Sequence, residues 1–258
     1  MEVSDLSEDD AQFVADLHVS HGVLSKGSGH SMTLLEEYLK EFVEASLLRT
    51  APEDQLQRCV LLYGPPGIGK TYAVEATAAR CGLKLVHVQY SDLVGKCPAE
   101  SGRRVVVLFR WLETQQPVIV LVDQAESLLG VRSMKRHASA AVTSQLLSTM
   151  TGNADSQPGV VVMCCTDMPN MIDPGFVSCF EDRIFEVPEA DDVERRVVWK
   201  TSLADYGITL SPEKLGHLAE FPLRDLRVVN EAIVDFMYQE VKVDDSEGHE
   251  MREMLAMM

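Results

Sequence analysis

The sequence predicts an α/β protein with a doubly wound, parallel sheet of five strands, followed by a small all-helical lid. Short apolar runs rich in valine, isoleucine and leucine alternate with helix-like segments, the pattern of a parallel sheet covered on both faces. After Pro188 the strand pattern stops and only helix-like segments remain. We therefore expect an acidic N-terminal extension over 1–32, the α/β domain over 33–188, the lid over 189–243 and an acidic, Met-rich tail over 244–258.

The elements of the α/β domain follow from hydrophobic spacing and from the residues that end each run. Apolar residues three and four apart predict helices, and short β-branched runs predict strands. Gly82 and Pro117 follow two of the helical segments, where such residues end helices. The expected helices cover 11–17, 33–48, 72–81, 101–115 and 138–150, and the expected strands cover 59–63, 83–88, 118–122, 159–165 and 184–187.

The lid is expected to contain three helices, over 191–204, 211–219 and 223–241. Ser211 followed by Pro212 is a good helix start, because serine caps the first turn and proline suits the first helical position. The tail beyond residue 244 carries no such signals, and we expect it to fray.

Composition limits the classes of partner. The 258 residues contain 23 Lys and Arg against 40 Asp and Glu, a net charge of -17. Such a field repels polyanions, so we expect no broad contact with nucleic acid or with an anionic lipid surface. No apolar run approaches the roughly 20 residues that a membrane-spanning helix needs, which argues against membrane insertion.

The six cysteines include no C-x-x-C pair of the kind that binds metals. Cys164 and Cys165 are adjacent inside an apolar run, where buried strand residues are expected. The N-terminus is acidic and lacks the apolar core of a signal peptide. We therefore expect a cytoplasmic protein with reduced thiols.

The most informative stretch lies between the strand over 59–63 and the helix over 72–81. It follows the phosphate-binding P-loop pattern G-x-x-x-x-G-K-T, with Gly64, Pro65, Pro66, Gly67, Ile68, Gly69, Lys70 and Thr71. Its glycines let backbone N–H groups close round phosphate oxygens, and the following helix N-terminus adds partial positive charge. We expect Lys70 to reach the β- and γ-phosphates of a nucleotide and Thr71 to place its hydroxyl on Mg²⁺, with Tyr72 next in the same binding segment.

A second nucleotide element is the acidic residue that ends a buried strand. Asp123 follows the apolar run over 118–122, the arrangement known as Walker B. At that end of a parallel sheet Asp123 would lie beside the P-loop and hold Mg²⁺ directly or through water. The predicted ligands are therefore ATP or ADP with Mg²⁺, the metal being held by Thr71 and Asp123.

Four segments in matching order carry a resemblance to a known family, namely 61–67, 91–96, 123–129 and 165–169 with 172–174. Over about residues 33–238 the chain resembles the AAA ATPases, and most closely the meiotic clade of katanin, spastin, fidgetin and the ESCRT-disassembling ATPase. The resemblance implies an α/β nucleotide domain, a helical lid and ring-shaped hexamers. It also implies ATP bound between neighbouring subunits and polypeptide pulled through a central pore.

Two departures from the family affect hydrolysis directly. The family has Glu after the Walker B Asp, where it polarises the attacking water, and this chain has Gln124. An amide orients water but cannot accept its proton, and general-base catalysis is typically worth about 10²–10⁴ in rate. The sensor residue that is Asn in the family is Asp167 here, and a carboxylate near the γ-phosphate repels it unless it is protonated or metal-bound.

Three further departures concern the arginines that reach a neighbouring subunit's ATP, the pore loop that holds substrate, and the pocket for the adenine base. Ser178 and Cys179 stand where the family has two arginine fingers, which in related phosphoryl transfer contribute about 10³–10⁵ in kcat. Arg183 remains, and in the family that arginine has a structural role. Lys96 is followed by Cys-Pro instead of the pore-loop aromatic, and proline is expected to stiffen that loop. The segment 221–226 replaces Ser-Gly-x-Asp-Leu near the adenine.

The pattern of kept and lost elements favours a nucleotide-binding pseudo-ATPase. None of the departures falls on the P-loop glycines, Lys70, Thr71 or Asp123. The first hypothesis is a weak or inactive AAA protein that holds nucleotide as a structural ligand and acts as a scaffold or regulatory subunit. Its expected partner is another protein or neighbouring AAA subunits, in a homo- or hetero-oligomer.

Two rival hypotheses stay open at this stage. In one, the chain is an active AAA ATPase that remodels protein complexes, with Gln124 introduced or compensated by a partner subunit. Glu126 or Asp167 would then replace the missing base. In the other, weaker one, the chain is a P-loop kinase for a small molecule, against which the three-helix lid and the segment around Lys96 argue.

Overall fold

The computed structural model describes residues 7–20, 30–48, 58–130, 137–150, 159–180, 183–187, 189–204 and 208–220. The chain divides into two compact units. The first comprises Met1–Leu24, Leu34–Pro65 and Lys70–Val187, and the second comprises Ser25–Thr33, Pro66–Gly69 and Pro188–Met258. The first unit contains the sheet.

The sheet has six strands in the order β1-β3-β4-β5-β2-β6. Their bounds are β1 His18–Ser20, β2 Cys59–Tyr63, β3 Lys84–Val88, β4 Val118–Val122, β5 Val160–Thr166 and β6 Ile184–Glu186. The five strands from β2 to β6 pair in parallel, as the sequence predicts. The two strands at the centre, β4 and β5, are buried at every position, because helices cover both faces of a doubly wound sheet.

Strand β1 is the difference from the predicted five-stranded parallel sheet. It pairs antiparallel with β3, with His18 opposite His87 and Ser20 opposite Leu85, so the sheet is mixed. The helix before it, α1 (Glu8–Ala15), begins at the predicted cap, where Ser7 Oγ accepts from the backbone N–H of Asp10. Part of the predicted N-terminal extension therefore forms the edge strand of the sheet and pairs with β3, and a very short edge strand leaves few backbone groups exposed.

The other helices before residue 188 are α2 His30–Leu48, α3 Lys70–Cys81, α4 Tyr90–Leu93, α5 Pro98–Gln115, α6 Ala125–Leu129, α7 His137–Met150 and α8 Pro174–Phe180. Those expected from spacing are present, with α2, α3 and α5 starting earlier than predicted. Pro98 is the first residue of α5. It therefore starts a helix instead of stiffening a loop, because its fixed φ suits that position. The short helices α4, α6 and α8 carry too few residues to show a helical period in the sequence.

One buried ion pair joins α2 to α3. Glu36 has no exposed surface, and its carboxylate lies 2.6 Å from the guanidinium of Arg80.

Gly82, after the end of α3, has a φ of +65°, which is the left-handed conformation that glycine adopts readily at a helix end. The predicted stop of this helix is therefore confirmed.

The second unit contains the helices α9 (Asp192–Ala204) and α10 (Pro212–Leu218). Ser211 caps α10 and Pro212 is its first residue, as predicted. The guanidinium of Arg195 donates to the carbonyl oxygens of Ala190 and Ala219, which ties the two helices together. The third predicted lid helix, 223–241, the tail and the segment 221–226 lie outside the described residues.

In the part of the chain that is described, no helix combines the length and the apolar character that a membrane-spanning segment requires. Cys164 and Cys165 are fully buried strand residues, as predicted, and burial raises the pKa of both thiols.

Candidate functional site

Three adjacent parallel strands end at the same edge of the sheet. Tyr63 at the end of β2 pairs with Thr166 at the end of β5, and Val122 at the end of β4 pairs with Cys164. The residues that follow these strands therefore lie close together, which is where open α/β sheets bind ligands. Within the first unit those residues are Gly64 and Pro65 at the start of the P-loop, Asp123 and Asp167.

The P-loop has the backbone of an anion-binding turn. Gly67 has a φ of 81° and Gly69 a φ of 99°, conformations that L side chains rarely adopt. Helix α3 then begins at Lys70, so its free N–H groups follow the loop directly. A loop and helix start of this kind suit a phosphate group, because backbone N–H groups and the helix dipole both favour an anion there.

Lys70 is buried, with 7% of its side chain exposed, and its ammonium group contacts three oxygen atoms. It donates to the carbonyl oxygen of Gly64 at 2.9 Å and to that of Pro65 at 2.7 Å. It also forms an ion pair with Asp167, with Nζ 2.5 Å from Oδ1. The predicted phosphate-binding lysine and the predicted sensor residue are thus in direct contact.

Thr71 and Asp123 are also brought together. The hydroxyl of Thr71 donates to Oδ2 of Asp123 at 3.1 Å, although the two residues are 52 positions apart. A hydroxyl and a carboxylate are oxygen donors of the kind that Mg²⁺ prefers, and Mg²⁺ in nucleotide sites uses few protein ligands beside phosphate. The pair therefore fits the predicted metal role. Among the described residues no cluster of three or more His, Cys, Asp or Glu could hold a metal ion without such help.

Gln124 has an unusual backbone. Its φ of 50° and ψ of 51° place it in the left-handed region, and it is the residue before α6. Within the described residues no other non-glycine residue has a positive φ. Its N–H donates to Oδ1 of Asp123 at 2.9 Å, and its side chain is exposed. Strained residues of this kind cluster at functional sites. The structure thus places an amide, without a carboxylate, directly beside the predicted metal ligand.

A short network fixes the residues on either side of Asp167. The hydroxyl of the buried Thr166 donates to Oε2 of Glu126 at 2.5 Å and accepts from the N–H of Met168 at 3.0 Å. Glu126 therefore bonds to β5 from α6, and its carboxylate is already engaged. Sequence reasoning missed this role of Thr166, although a polar residue at the end of an apolar strand is a signal for it.

The negative charge of Asp123 affects its surroundings. Burial raises the pKa of Glu75, and Asp123 raises it further. Burial likewise raises the pKa of the Cys165 thiol, with a further contribution from Asp123 that Lys70 opposes. The charge of Asp123 therefore acts on both of these neighbouring groups, in the direction expected of a nearby carboxylate.

The two finger positions lie on α8 and carry no positive charge. Ser178 is exposed and its hydroxyl donates to the carbonyl oxygen of Gly175 at 2.8 Å. Cys179 is half-buried, its thiol contacts the same carbonyl, and burial raises its pKa. Neither residue can supply a cation to a neighbour's phosphate. Arg183 instead stacks over the ring of Phe42, 4.8 Å from its centre, in keeping with a structural role.

The segment around Lys96 is held by helix α5. The N–H of Gly95 donates to the Ser101 hydroxyl at 2.9 Å, and the N–H of Lys96 donates to the Glu100 carboxylate at 2.8 Å. Cys97, the residue before α5, is exposed. An exposed thiol offers little surface for gripping a polypeptide compared with an aromatic side chain.

A family model described as "ATPase family associated with various cellular activities (AAA)" matches residues 60–188, half of the chain. The chain belongs to the AAA family. An AAA domain implies nucleotide binding, and the matched segment contains the P-loop, Asp123 and Asp167. The predicted α/β fold and the predicted family are confirmed.

Several AAA proteins that are similar to this chain are longer than it is. Protein SUPPRESSOR OF K(+) TRANSPORT GROWTH DEFECT 1 of Arabidopsis thaliana is 32% identical over 63% of this chain and 38% of its own length. The outer mitochondrial transmembrane helix translocase of Danio rerio is 30% identical over 72% of this chain and 54% of its own. Spastin of Drosophila melanogaster is 30% identical over 62% of this chain and 22% of its own. The chain thus spans about half or less of these relatives.

The crystal structure of the FIGL-1 AAA domain in complex with ADP has the same fold. Its TM-score is 0.74 with 18% sequence identity, and the match covers 96% of this chain and 87% of that one. At this identity the likeness concerns the fold alone. The departures at Gln124, Asp167, Ser178 and Cys179 are properties of this chain's own sequence.

Proposed function

We propose that this AAA protein binds ATP or ADP with Mg²⁺ as a structural ligand, that its hydrolysis is weak or absent, and that it acts as a scaffold or regulatory subunit. One observation carries the proposal. The binding groups Lys70, Thr71 and Asp123 meet at one edge of the sheet, while the residue beside Asp123 is an amide. This arrangement supports a site that keeps the groups for binding and lacks the carboxylate for general-base catalysis.

The residues that would hold the cofactor are the P-loop backbone for the phosphates, Lys70 for their charge, and Thr71 with Asp123 for the metal. A bound Mg²⁺ would supply charge neutralisation to the phosphates. The chain's own residues orient these groups. Of the two carboxylates that could replace the missing base, Glu126 accepts from Thr166 and Asp167 is paired with Lys70, so each would have to change its present contact. The proposed segments are 33–188 for the nucleotide domain and 189–243 for the lid.

The proposed partner is a protein, either neighbouring AAA subunits or a different chain. The charge of -17 supports this choice over nucleic acid. The lack of cationic residues at Ser178 and Cys179 supports a role in which the chain does not activate a neighbour's nucleotide. We propose a cytoplasmic location, since the site needs a nucleotide-rich, reducing compartment.

Phosphate release by the purified full chain, with added ATP and Mg²⁺, tests the proposal. We expect release no faster than that of the Lys70→Ala variant, together with nucleotide retained by the unmodified chain and lost by the variant. Steady release that Lys70→Ala abolishes would contradict the proposal.

A second candidate is an ATPase that remodels protein complexes. One observation favours it, since Glu126 lies at the same end of the sheet as Asp167 and bonds to the preceding Thr166. In that case Glu126 leaves Thr166 to act as the base, and a partner subunit supplies the arginines. Hydrolysis that appears only with a partner, and that Glu126→Gln abolishes, would establish this candidate over the first.

A further inference from the structure

The ammonium group of Lys70 has no donor left for a phosphate without giving up a present contact. An ammonium has three donors, and three oxygen atoms lie within 2.9 Å of Nζ. Two belong to the neutral carbonyls of Gly64 and Pro65, and the third belongs to the carboxylate of Asp167. A phosphate oxygen must replace one of these three.

The carboxylate is the strongest of the three competitors. All three contacts use the charged ammonium as donor, but only Asp167 carries the opposite full charge, which adds a direct Coulomb attraction that a neutral carbonyl lacks. The side chain of Lys70 is buried and that of Asp167 is 38% exposed, so dissolved salt screens this pair less than a fully exposed one. Asp167 is therefore the partner of Lys70 that a phosphate oxygen displaces least readily, and it leaves the ammonium less able to hold two phosphates at once.

The position of Asp167 is built into the fold. The preceding Thr166 is fully buried and bonded to Glu126, and the following Met168 bonds through its N–H to Thr166. The backbone of Asp167 is thus fixed on both sides. Its carboxylate, 38% exposed, lies at the open end of this short chain of contacts.

The β- and γ-phosphates, which Lys70 is expected to contact, do not depend on this lysine equally. The β-phosphate is also held by the N–H groups of the loop and the helix start, whereas the γ-phosphate depends mainly on Lys70 and the metal. A carboxylate paired with Lys70 therefore competes mostly with the γ-phosphate. It also repels that phosphate, since both groups are negative.

We propose that Asp167 makes this nucleotide site selective for a diphosphate, so that ADP binds in preference to ATP. The inference rests on the proposed function, in which the site binds nucleotide, and it specifies that the structural nucleotide is ADP. Asp167 acts as an internal substitute for the γ-phosphate on Lys70. The chain then holds one nucleotide state and does not cycle between two.

A competing role for Asp167 is that of a Mg²⁺ ligand, which has the opposite effect. A carboxylate shared with the metal would favour Mg²⁺-bound triphosphate. The two roles separate when affinities are measured with Mg²⁺ and with a chelator, because selectivity through Lys70 does not need the metal.

The test measures binding of ADP and of a non-hydrolysable ATP analogue to the full chain by calorimetry, with Mg²⁺ and with EDTA. The matched control is Asp9→Asn, which removes the same charge at an exposed site. We expect the unmodified chain and Asp9→Asn to bind ADP at least about tenfold more tightly than the analogue in both conditions. Asp167→Asn should bring the two affinities within about threefold of each other, mainly by tightening the analogue.

Two results overturn the inference alone. One is equal binding of both nucleotides by the unmodified chain, and the other is an affinity ratio that Asp167→Asn leaves unchanged. Tighter analogue binding that needs Mg²⁺ and is lost in Asp167→Asn also overturns it, in favour of the metal-ligand role. If neither nucleotide binds to any variant, the proposed function fails, and this inference fails with it. Asp167→Ala provides a second variant if the asparagine form does not fold.

Discussion

The ammonium of Lys70 and the carboxylate of Asp167 are 2.5 Å apart. The two residues come from different elements, the start of α3 and the end of β5, and they meet because β2 and β5 are parallel neighbours. The resemblance to the AAA family implies an uncharged amide at the position of this carboxylate. The contact therefore links the one departure that adds charge to the predicted phosphate-binding lysine.

The first prediction concerns the missing base. Gln124→Glu combined with Asp167→Asn should give phosphate release that depends on Lys70, because the first change supplies a proton acceptor and the second frees the ammonium. The recovered rate should lie near the lower end of the 10²–10⁴ range, about 10²-fold over the unmodified chain, since no arginine stands at 178 or 179. The measurement is phosphate release at saturating ATP.

The control for this prediction is Gln124→Ala with Asp167→Asn. It removes the amide without supplying a base, and its release should match that of the unmodified chain. An unmodified chain that hydrolyses ATP as fast as the double variant with Gln124→Glu would show that Gln124 and Asp167 do not limit turnover.

The second prediction concerns the bond between Thr166 and Glu126. Thr166→Val keeps the shape of the side chain and leaves Oε2 of Glu126 without this donor. A hydrogen bond to a charged group contributes about 1.5–3 kcal/mol, so unfolding free energy should fall by about that amount. Chemical denaturation of both single variants and of Thr166→Val with Glu126→Gln gives the coupling. Additive effects of the two changes would contradict the proposed bond.

The third prediction concerns the N-terminal segment. Leu17 is 7% exposed and belongs to the main apolar core, so Leu17→Ala should lower unfolding free energy by about 2–5 kcal/mol. The matched control is Val19→Ala, because Val19 is 42% exposed. This change should alter the free energy of unfolding by less than about 0.5 kcal/mol. Urea denaturation measures both. Equal effects would mean that the segment is not part of the folded unit.

The fourth prediction concerns the ion pair between Arg103 and Asp10, which joins α5 to α1 at 2.5 Å. The Arg103 side chain is 57% exposed, so water screens the pair. A double-mutant cycle with Arg103→Ala and Asp10→Ala should give a coupling of about 0.2–1 kcal/mol. A coupling of several kcal/mol would show that this contact, and not the burial of Leu17, attaches the segment.

The fifth prediction is a pH dependence at the edge strand. Burial lowers the pKa of His87 below its ordinary value of 6.5, and the neighbouring His18 lowers it further, whereas Asp123 opposes the shift. The His87 ring also lies 4.7 Å from the His18 ring, 3.4 Å from the Ser20 hydroxyl and 4.0 Å from the Glu75 carboxylate. The folded protein therefore binds this proton less readily than the unfolded chain.

The sign follows from that difference. The stability contributed by neutral His87 is complete above the unfolded pKa and is lost as the pH falls through 6.5 towards the lower folded value. The melting temperature should fall on acidification across this window, and that of His87→Gln should fall less. An equal decrease in both proteins would assign the effect to other groups.

Much of the fold could be predicted because its signals are local. Strand β4 is a nearly pure β-branched run, and β5 is an apolar run that starts with three valines. The end of α3 carries a glycine signal and the start of α10 a proline signal. Strand β1 could not be predicted, because three residues show no alternation and the pairing depends on β3, far along the chain. Helix α8, only seven residues long, was missed for a related reason.

The sequence predicts which residues form the site better than it predicts how they contact one another. The P-loop spacing and the strand before Asp123 identify the binding residues, and the repulsive character of Asp167 follows from its charge. The pairing of Asp167 with Lys70 depends on how two strand ends meet, which no local pattern encodes. The left-handed backbone of Gln124 was likewise unexpected, since glutamine has no preference for it.

The most direct test of the account is the nucleotide content of freshly purified protein, followed over hours with added ATP and Mg²⁺. We expect the unmodified chain to keep its nucleotide and to release phosphate no faster than Lys70→Ala. The Lys70→Ala variant should lose the bound nucleotide. Continuing phosphate release from the unmodified chain, abolished by Lys70→Ala, would contradict the central claim that the site binds nucleotide without turning it over.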